Sequence, residues 1–138
     1  GRSVPAALPR TDFHHWVVVD IPPSVSEIRE GACSDGITAR GKQAPAGPAG
    51  SRQGLNDYTL WFGGDKDMAG QYFGYDGPCP PWNDELLHHY HFVLYATDLV
   101  RCPVEGAFTG QQVVQAIAGH VLAEARLTGT YSLNPQVY

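Results

Sequence analysis

Lysine is scarce in this 138-residue chain: only Lys42 and Lys66 occur, and the seven arginines are scattered. With a formal net charge of −5, the chain lacks the clustered cationic surface that binds nucleic acid or acidic membranes. Long apolar runs are missing too. Trp16–Val19 is among the strongest and covers four residues, against the ~20 needed to span a bilayer, so no membrane insertion is expected. Cysteine is sparse and odd in number. Cys33, Cys79 and Cys102 form no CxxC and no zinc-ribbon spacing, so at least one is free or paired outside the chain. That leaves the compartment open and favours a reducing, cytoplasmic one. Gly-x-Ser-x-Gly, P-loop and GxGxxG patterns are all absent, and no cofactor is expected.

What the chain does have is enough apolar residue, 43% against 17% charged, to exclude disorder and support one domain with a core. Gly and Pro make up 27 of the residues, about a fifth. Ordinary usage is about an eighth, so a helical bundle is disfavoured and a loop-rich, mainly β protein is expected.

Residues 1–10 read as an extended arm. Phe13–Ile21 reads as a strand with Phe13, His15, Val17, Val19 and Ile21 on its core face, ended by Pro22-Pro23. The stretch 44–50 is a surface loop by its Gly, Pro and Ala content, and Asn56–Phe62 is expected to supply a short strand. Gly74–Pro81 is too rich in Gly and Pro for a regular element and is expected to be a shaped loop. His88–Leu99 is the second clear strand. One face carries His88, Tyr90, Phe92, Leu94 and Ala96, and apolar residues on both faces place it inside a sheet or sandwich. Thr109 is a good N-cap for a helix over about Gln111–Ala125, with Val113, Val114, Ile117, Val121, Leu122 and Ala125 as its buried stripe. Leu127–Leu133 alternates like a closing strand.

Five of the six histidines fall in the two clear strands, and three readings compete for them. In the first, His15 and His88 stand on apolar strand faces near the sheet rim. With Tyr90 and the backbone N–H groups of the Gly-rich loop, they bind a phosphate or carboxylate. Against this stands the plainer reading of two buried histidines bonded to backbone. In the second, His89 and His91 at i, i+2 chelate a metal with a third ligand such as His14. No spacing specifies that ligand, and exposed imidazoles on a sheet face account for the pair as well. In the third, Cys79 is a nucleophile beside a histidine, although its Pro-Cys-Pro setting offers no helix N-terminus and suits a small loop residue. Asp57, Asp76 and Asp98 form no interpretable pair and read mostly as turn or cap residues.

Phe13-His14-His15-Trp16-Val17-Val18-Val19, Ile21-Pro22, the Gly74–Pro81 block GYDGPCPP, His88-His89-Tyr90-His91-Phe92 and Leu94-Tyr95-Ala96 follow in an order that resembles the phosphatidylethanolamine-binding protein (PEBP) family. The likeness is to its bacterial, Raf-kinase-inhibitor-like branch, and runs from about Thr11 to the C-terminus. The resemblance implies an antiparallel Greek-key β-sandwich with an anion pocket at one end. By motif, His15 and His88 match the two pocket histidines and Tyr90 the pocket tyrosine, while Gly77, Cys79 and Pro80 fall in the lining loop. Cys79 stands where some members have glycine, which narrows the site. The family's Asp-Pro-Asp-x-Pro block and its first strands have no counterpart here. The expectation is therefore a single PEBP-like domain, N-terminally incomplete or processed. An N-terminal fragment or a second chain would then complete the sandwich and cover edges that are otherwise a liability; a homodimer is a separate option.

The function expected is binding of a small anion, such as a phospholipid headgroup, with a regulatory role only by fold-level analogy to eukaryotic relatives. The alternative is a small-molecule hydrolase, cyclase or isomerase using His as base and Tyr90 as proton donor. A third option is an interaction protein with a vestigial pocket.

Overall fold

The structure is a computed structural model and describes residues 2–43 and 45–137. Its ordered elements are β1 (Val18–Val19), β2 (Arg52–Gln53), α1 (Tyr58–Trp61), β3 (His88–Thr97), α2 (Gly110–Ile117) and β4 (Val121–Tyr131). The chain is mainly β, as expected, with antiparallel pairing of β1 with β2 and of β3 with β4. Contacts group it into two compact units. A core unit comprises Phe13–Asp76 and Asp98–His120; a ribbon unit comprises Gly1–Asp12, Gly77–Thr97 and Val121–Tyr138.

In the core unit, Val17, Val19, Cys102, Val104, Phe108 and Ile117 are buried together, with Leu99, Val113 and Ala116 packed against them. Val17 and Val19 come from the expected core face of the Phe13–Ile21 segment. The strand itself is shorter than the β-branched run suggests. The carbonyls of its residues are taken by two different segments: His14 O by Asp57 N–H and Val17 O by Gly54 N–H from one, and His15 O by Asp76 N–H from the other. Asp20, at φ 62°, then bends the chain away from any longer ladder. The side chain of Asp20 accepts from Arg52 Nε and from the Cys102 N–H, and Arg52 also donates to the carbonyls of Cys102 and Val104. This guanidinium ties the Asp20 turn to the loop that carries Cys102 and Val104, at the edge of the apolar cluster.

Two sequence expectations need correction here. Asn56–Phe62 is not a strand: Asn56 Oδ1 accepts the Tyr58 N–H, and residues 58–61 form the one-turn helix α1. The Tyr58, Phe62 and Tyr72 rings then pack together. The helix capped by Thr109 is real, with Thr109 and Gln112 bonding reciprocally in a capping box. It ends at Ile117, however, not near Ala125. Gly119 takes φ 79°, a left-handed conformation that suits glycine and stops the helix. Val121, Leu122 and Ala125 belong instead to β4, whose start is earlier than the alternation of Leu127–Leu133 indicates. Helical and strand periods overlap over a stretch this short, which is why the apolar spacing read as one long stripe. The 44–50 loop contains a 3-10 turn at Pro48–Gly50; Ala44 lies outside the described residues.

In the ribbon unit, β3 and β4 pair over almost their whole length, from His88 opposite Tyr131 to Thr97 opposite Val121, with an irregularity at Ala96/Thr97. Partners directly opposite share a face. Phe92 with Leu127, Leu94 with Ala125 and Ala96 with Ala123 thus form an apolar face. His89 with Thr130, His91 with Thr128, Val93 with Arg126 and Tyr95 with Glu124 form a mixed one. The expectation that His88–Leu99 lies inside a larger sheet is not met: among the described residues β3 pairs with β4 alone, and Leu94 and Leu127 are 60% and 70% exposed. The N-terminal arm joins this unit through a parallel bridge between Val4 and Asp84.

Candidate functional site

His15 belongs to the core unit. Its Nδ1 lies 2.8 Å from the carbonyl oxygen of Asp76, and its own carbonyl accepts the Asp76 N–H. A carbonyl only accepts, so Nδ1 is the donor and carries the proton. The ring lies 4.7 Å from that of Phe13 and edge-on to Tyr58. Asp76 is fixed in turn. Its carboxylate accepts from Asn56 Nδ2 at 2.8 Å and faces Lys42 Nζ at 3.5 Å, while Lys42 donates to the Tyr75 carbonyl. Asn56 is 1% exposed and also donates to the Gly74 carbonyl. A buried amide, a carboxylate and an ammonium thus fix the backbone to which His15 is tethered.

His88 opens β3 in the ribbon unit. Its Nε2 lies 2.7 Å from Asp84 Oδ2. Asp84 is 1% exposed, and its two oxygens also accept from Arg10 Nη1 at 2.5 Å, Arg10 Nη2 at 2.9 Å and the Leu86 N–H at 2.9 Å. The Arg10 guanidinium, with help from His88 and Leu86, holds the Asp84 carboxyl well below the usual carboxylate range despite burial. Asn134 Nδ2 donates to the Asp84 carbonyl, and Val4 bridges the same residue, so its backbone is fixed from both sides. Tyr90, two residues along β3 on the same face, stacks with His88 at 6.3 Å between centroids. Glycine at 129 stands opposite Tyr90 in the ladder.

Gly77, Cys79 and Pro80 lie in the irregular segment before β3, which is a loop as expected. Gly77 has φ 126°, a conformation that excludes most side chains, and the peptide bond to Pro78 is cis. Gly77 and Cys79 are exposed, and Pro80 is buried. Cys79, like Cys33 and Cys102, is not in a disulfide; Cys102 is buried, and burial pushes its thiol up.

The remaining histidines have other attachments. His14 is paired with Asp57, which also accepts the His14 N–H. His91 Nδ1 bonds Thr128 Oγ1 across the ladder, and His120 Nδ1 bonds Asp98. His89 is exposed on the mixed face. Among the described residues, no group of three or more His, Cys, Asp or Glu side chains is placed to hold a metal. Asp57 stands at the start of α1 without capping it by its side chain. Asp76, read as a turn or cap residue, is instead part of the His15 support.

Sequence reasoning missed Asp84, Arg10, Asn56 and Lys42. Asp84 stands four residues before His88, a carboxylate–imidazole spacing visible in the sequence. Arg10 and Asn56 give no such signal, because their partners lie 74 and 20 residues away.

Residues 4–132 match the family model for phosphatidylethanolamine-binding protein. A UPF0098 protein of Methanothermobacter thermautotrophicus is 36% identical over 123 residues, covering 89% of this chain and 65% of the relative. The YbcL protein of Escherichia coli, also UPF0098, is 30% identical over 94% of this chain and 60% of its own length. A crystal structure of a PEBP homologue from Chlamydia trachomatis superposes with a TM-score of 0.60 at 31% identity, covering 87% of this chain and 58% of that one. The chain therefore spans somewhat over half the length of these relatives.

Proposed function

The chain belongs to the phosphatidylethanolamine-binding protein family, and from that premise we propose that it binds small phosphate-like or carboxylate anions, phospholipid headgroups among them. The residues that the family motif assigns to the task are His15, His88, Tyr90 and the backbone around Gly77, Cys79 and Pro80. The observation that carries this reading is the way both histidines are tethered. Each has one ring nitrogen held by an oxygen that accepts, a carbonyl for His15 and a carboxylate for His88. Each ring is thus held in a fixed orientation, ready to attract an anion once protonated. The Tyr90 hydroxyl adds a neutral donor next to His88. A regulatory role would follow from ligand occupancy.

The test is calorimetric titration of the full chain with inorganic phosphate and with phosphoethanolamine. His15→Ala and His88→Ala are each expected to weaken binding about tenfold or more, the worth of a charged hydrogen bond. Unchanged affinity in both variants would sink the assignment.

The pairing of His88 with a buried carboxylate favours one second reading, a small-molecule enzyme. Asp84 would orient His88 as a general base, and Tyr90 would supply the proton. Turnover of phosphate or carboxylate esters that disappears in His88→Ala, with the fold intact, would establish it. Saturable binding without turnover would reject it.

A further inference from the structure

We propose that Asp84 is a positioning residue that fixes the tautomer of His88, so that His88 offers an anion a hydrogen-bond donor only after taking up a proton. The Asp84 carboxylate is saturated. Its two oxygens accept four hydrogen bonds, two from Arg10, one from the Leu86 N–H and one from His88 Nε2. A carboxylate has about four lone-pair sites, so none is left for a proton. Asp84 is therefore a pure acceptor, and Nε2 must be the nitrogen that carries hydrogen. In the neutral ring that leaves Nδ1 with a lone pair. Among the described residues nothing bonds to Nδ1, and the side chain keeps 28% of its surface exposed. A lone pair repels a phosphate or carboxylate oxygen. Protonation turns the same position into a charged N–H donor.

The groups around His88 support this assignment. Tyr90 stacks on its ring, Tyr131 stands opposite it in the ladder, and Asp84 brings Arg10 with it. Glu85 is engaged by the N-terminal arm through Ser3 and the Ala6 N–H. Arg10 comes from that same arm, so the arm secures the carboxylate that orients the histidine. A replacement by asparagine has a defined consequence. The Leu86 N–H and Arg10 Nη2 both require an oxygen at the Oδ1 position. The amide nitrogen then takes the Oδ2 position, gives up the bond from Arg10 Nη1 and donates to His88 Nε2, which drives the neutral ring to its other tautomer, with hydrogen on Nδ1.

The experiment is long-range proton–nitrogen NMR of the full chain labelled at histidine, at a pH where the ring is neutral. Wild-type His88 is expected to show hydrogen on Nε2, Asp84→Asn hydrogen on Nδ1, and Arg10→Gln the wild-type pattern, because the carboxylate remains. The last variant separates loss of the arm contact from loss of the acceptor. Wild-type hydrogen on Nδ1, or an unchanged pattern in Asp84→Asn, would overturn the proposal. Its consequence for binding rests on the anion reading above and is read with inorganic sulfate. The preference for acid over neutral pH, about tenfold per proton taken up, should shrink at least threefold in Asp84→Asn. If the tautomers behave as stated and sulfate does not bind, the tautomer assignment stands and the anion reading falls. If sulfate binds with the same pH preference in both proteins, the assignment of Asp84 falls instead.

Discussion

In the core unit six apolar side chains are buried together, Phe108 among them at 2% exposed with the Arg52 guanidinium over its ring, and His15 hangs on a backbone carbonyl. In the ribbon unit the most buried side chain is a carboxylate, and the large apolar residues Phe92, Leu94 and Leu127 are exposed. One unit holds its histidine through a neutral backbone carbonyl, itself supported by Asn56, the Asp76 carboxylate and Lys42; the other bonds its histidine directly to a saturated buried carboxylate. A backbone carbonyl is a neutral acceptor with no charge of its own to lose in acid. A four-bond carboxylate fixes angle, tautomer and charge together, but only while it is ionised. The two histidines that the family motif pairs are therefore expected to respond differently to mutation and to acid.

Mutations can break this comparison in graded steps. The largest effect is expected from Phe108→Ala, which should cost about 3–5 kcal/mol of unfolding free energy in denaturant titrations, as deletion of a fully buried ring does. A much smaller loss would mean that the apolar cluster is not what stabilises the core unit. Next comes Asp84→Ala, expected to cost about 2–3 kcal/mol, because the Leu86 N–H and His88 lose a charged acceptor.

The sign of the pH effect follows from Asp84. Its carboxyl is held below its ordinary value in the folded chain, so its contribution is complete above about pH 4 and lost as the pH falls further. Denaturation curves of wild type and Asp84→Asn should thus converge in acid. Parallel curves down to strong acid would contradict the role given to the carboxylate. Thr109→Ala should cost about 1 kcal/mol through loss of the capping box. Leu94→Ala should be the mildest, within about 0.5 kcal/mol, as at other exposed positions. A loss of several kcal/mol there would show that the apolar ribbon face is covered in solution.

Much of this was legible from residues alone, and what was not has identifiable causes. The long run His88–Thr97 reads as a strand because aromatic and apolar residues occupy both of its faces over ten positions without a Gly or Pro. Thr109 reads as a cap because a residue of a favoured cap type stands just before an apolar stripe at helical spacing. His15, His88 and Tyr90 could be singled out because histidine clustering is rare. The helix boundary was misread because Val121, Leu122 and Ala125 satisfy a helical period as well as a strand. Asn56–Phe62 was misread because a one-turn helix is decided by a single side-chain bond from Asn56, not by periodicity. The supports of both histidines escaped for a deeper reason: Arg10 and Asn56 act on residues remote in sequence, and pattern reading covers only neighbours.

Anion binding by protonated imidazoles makes the pH dependence of sulfate affinity the decisive measurement. Sulfate keeps its charge across the imidazole range, so any change in affinity belongs to the protein. Affinity that rises as the pH falls from about 8 to about 6, and loses most of that rise in His15→Ala and His88→Ala, is the result expected. Affinity independent of pH, or no saturable binding at any pH, would contradict it.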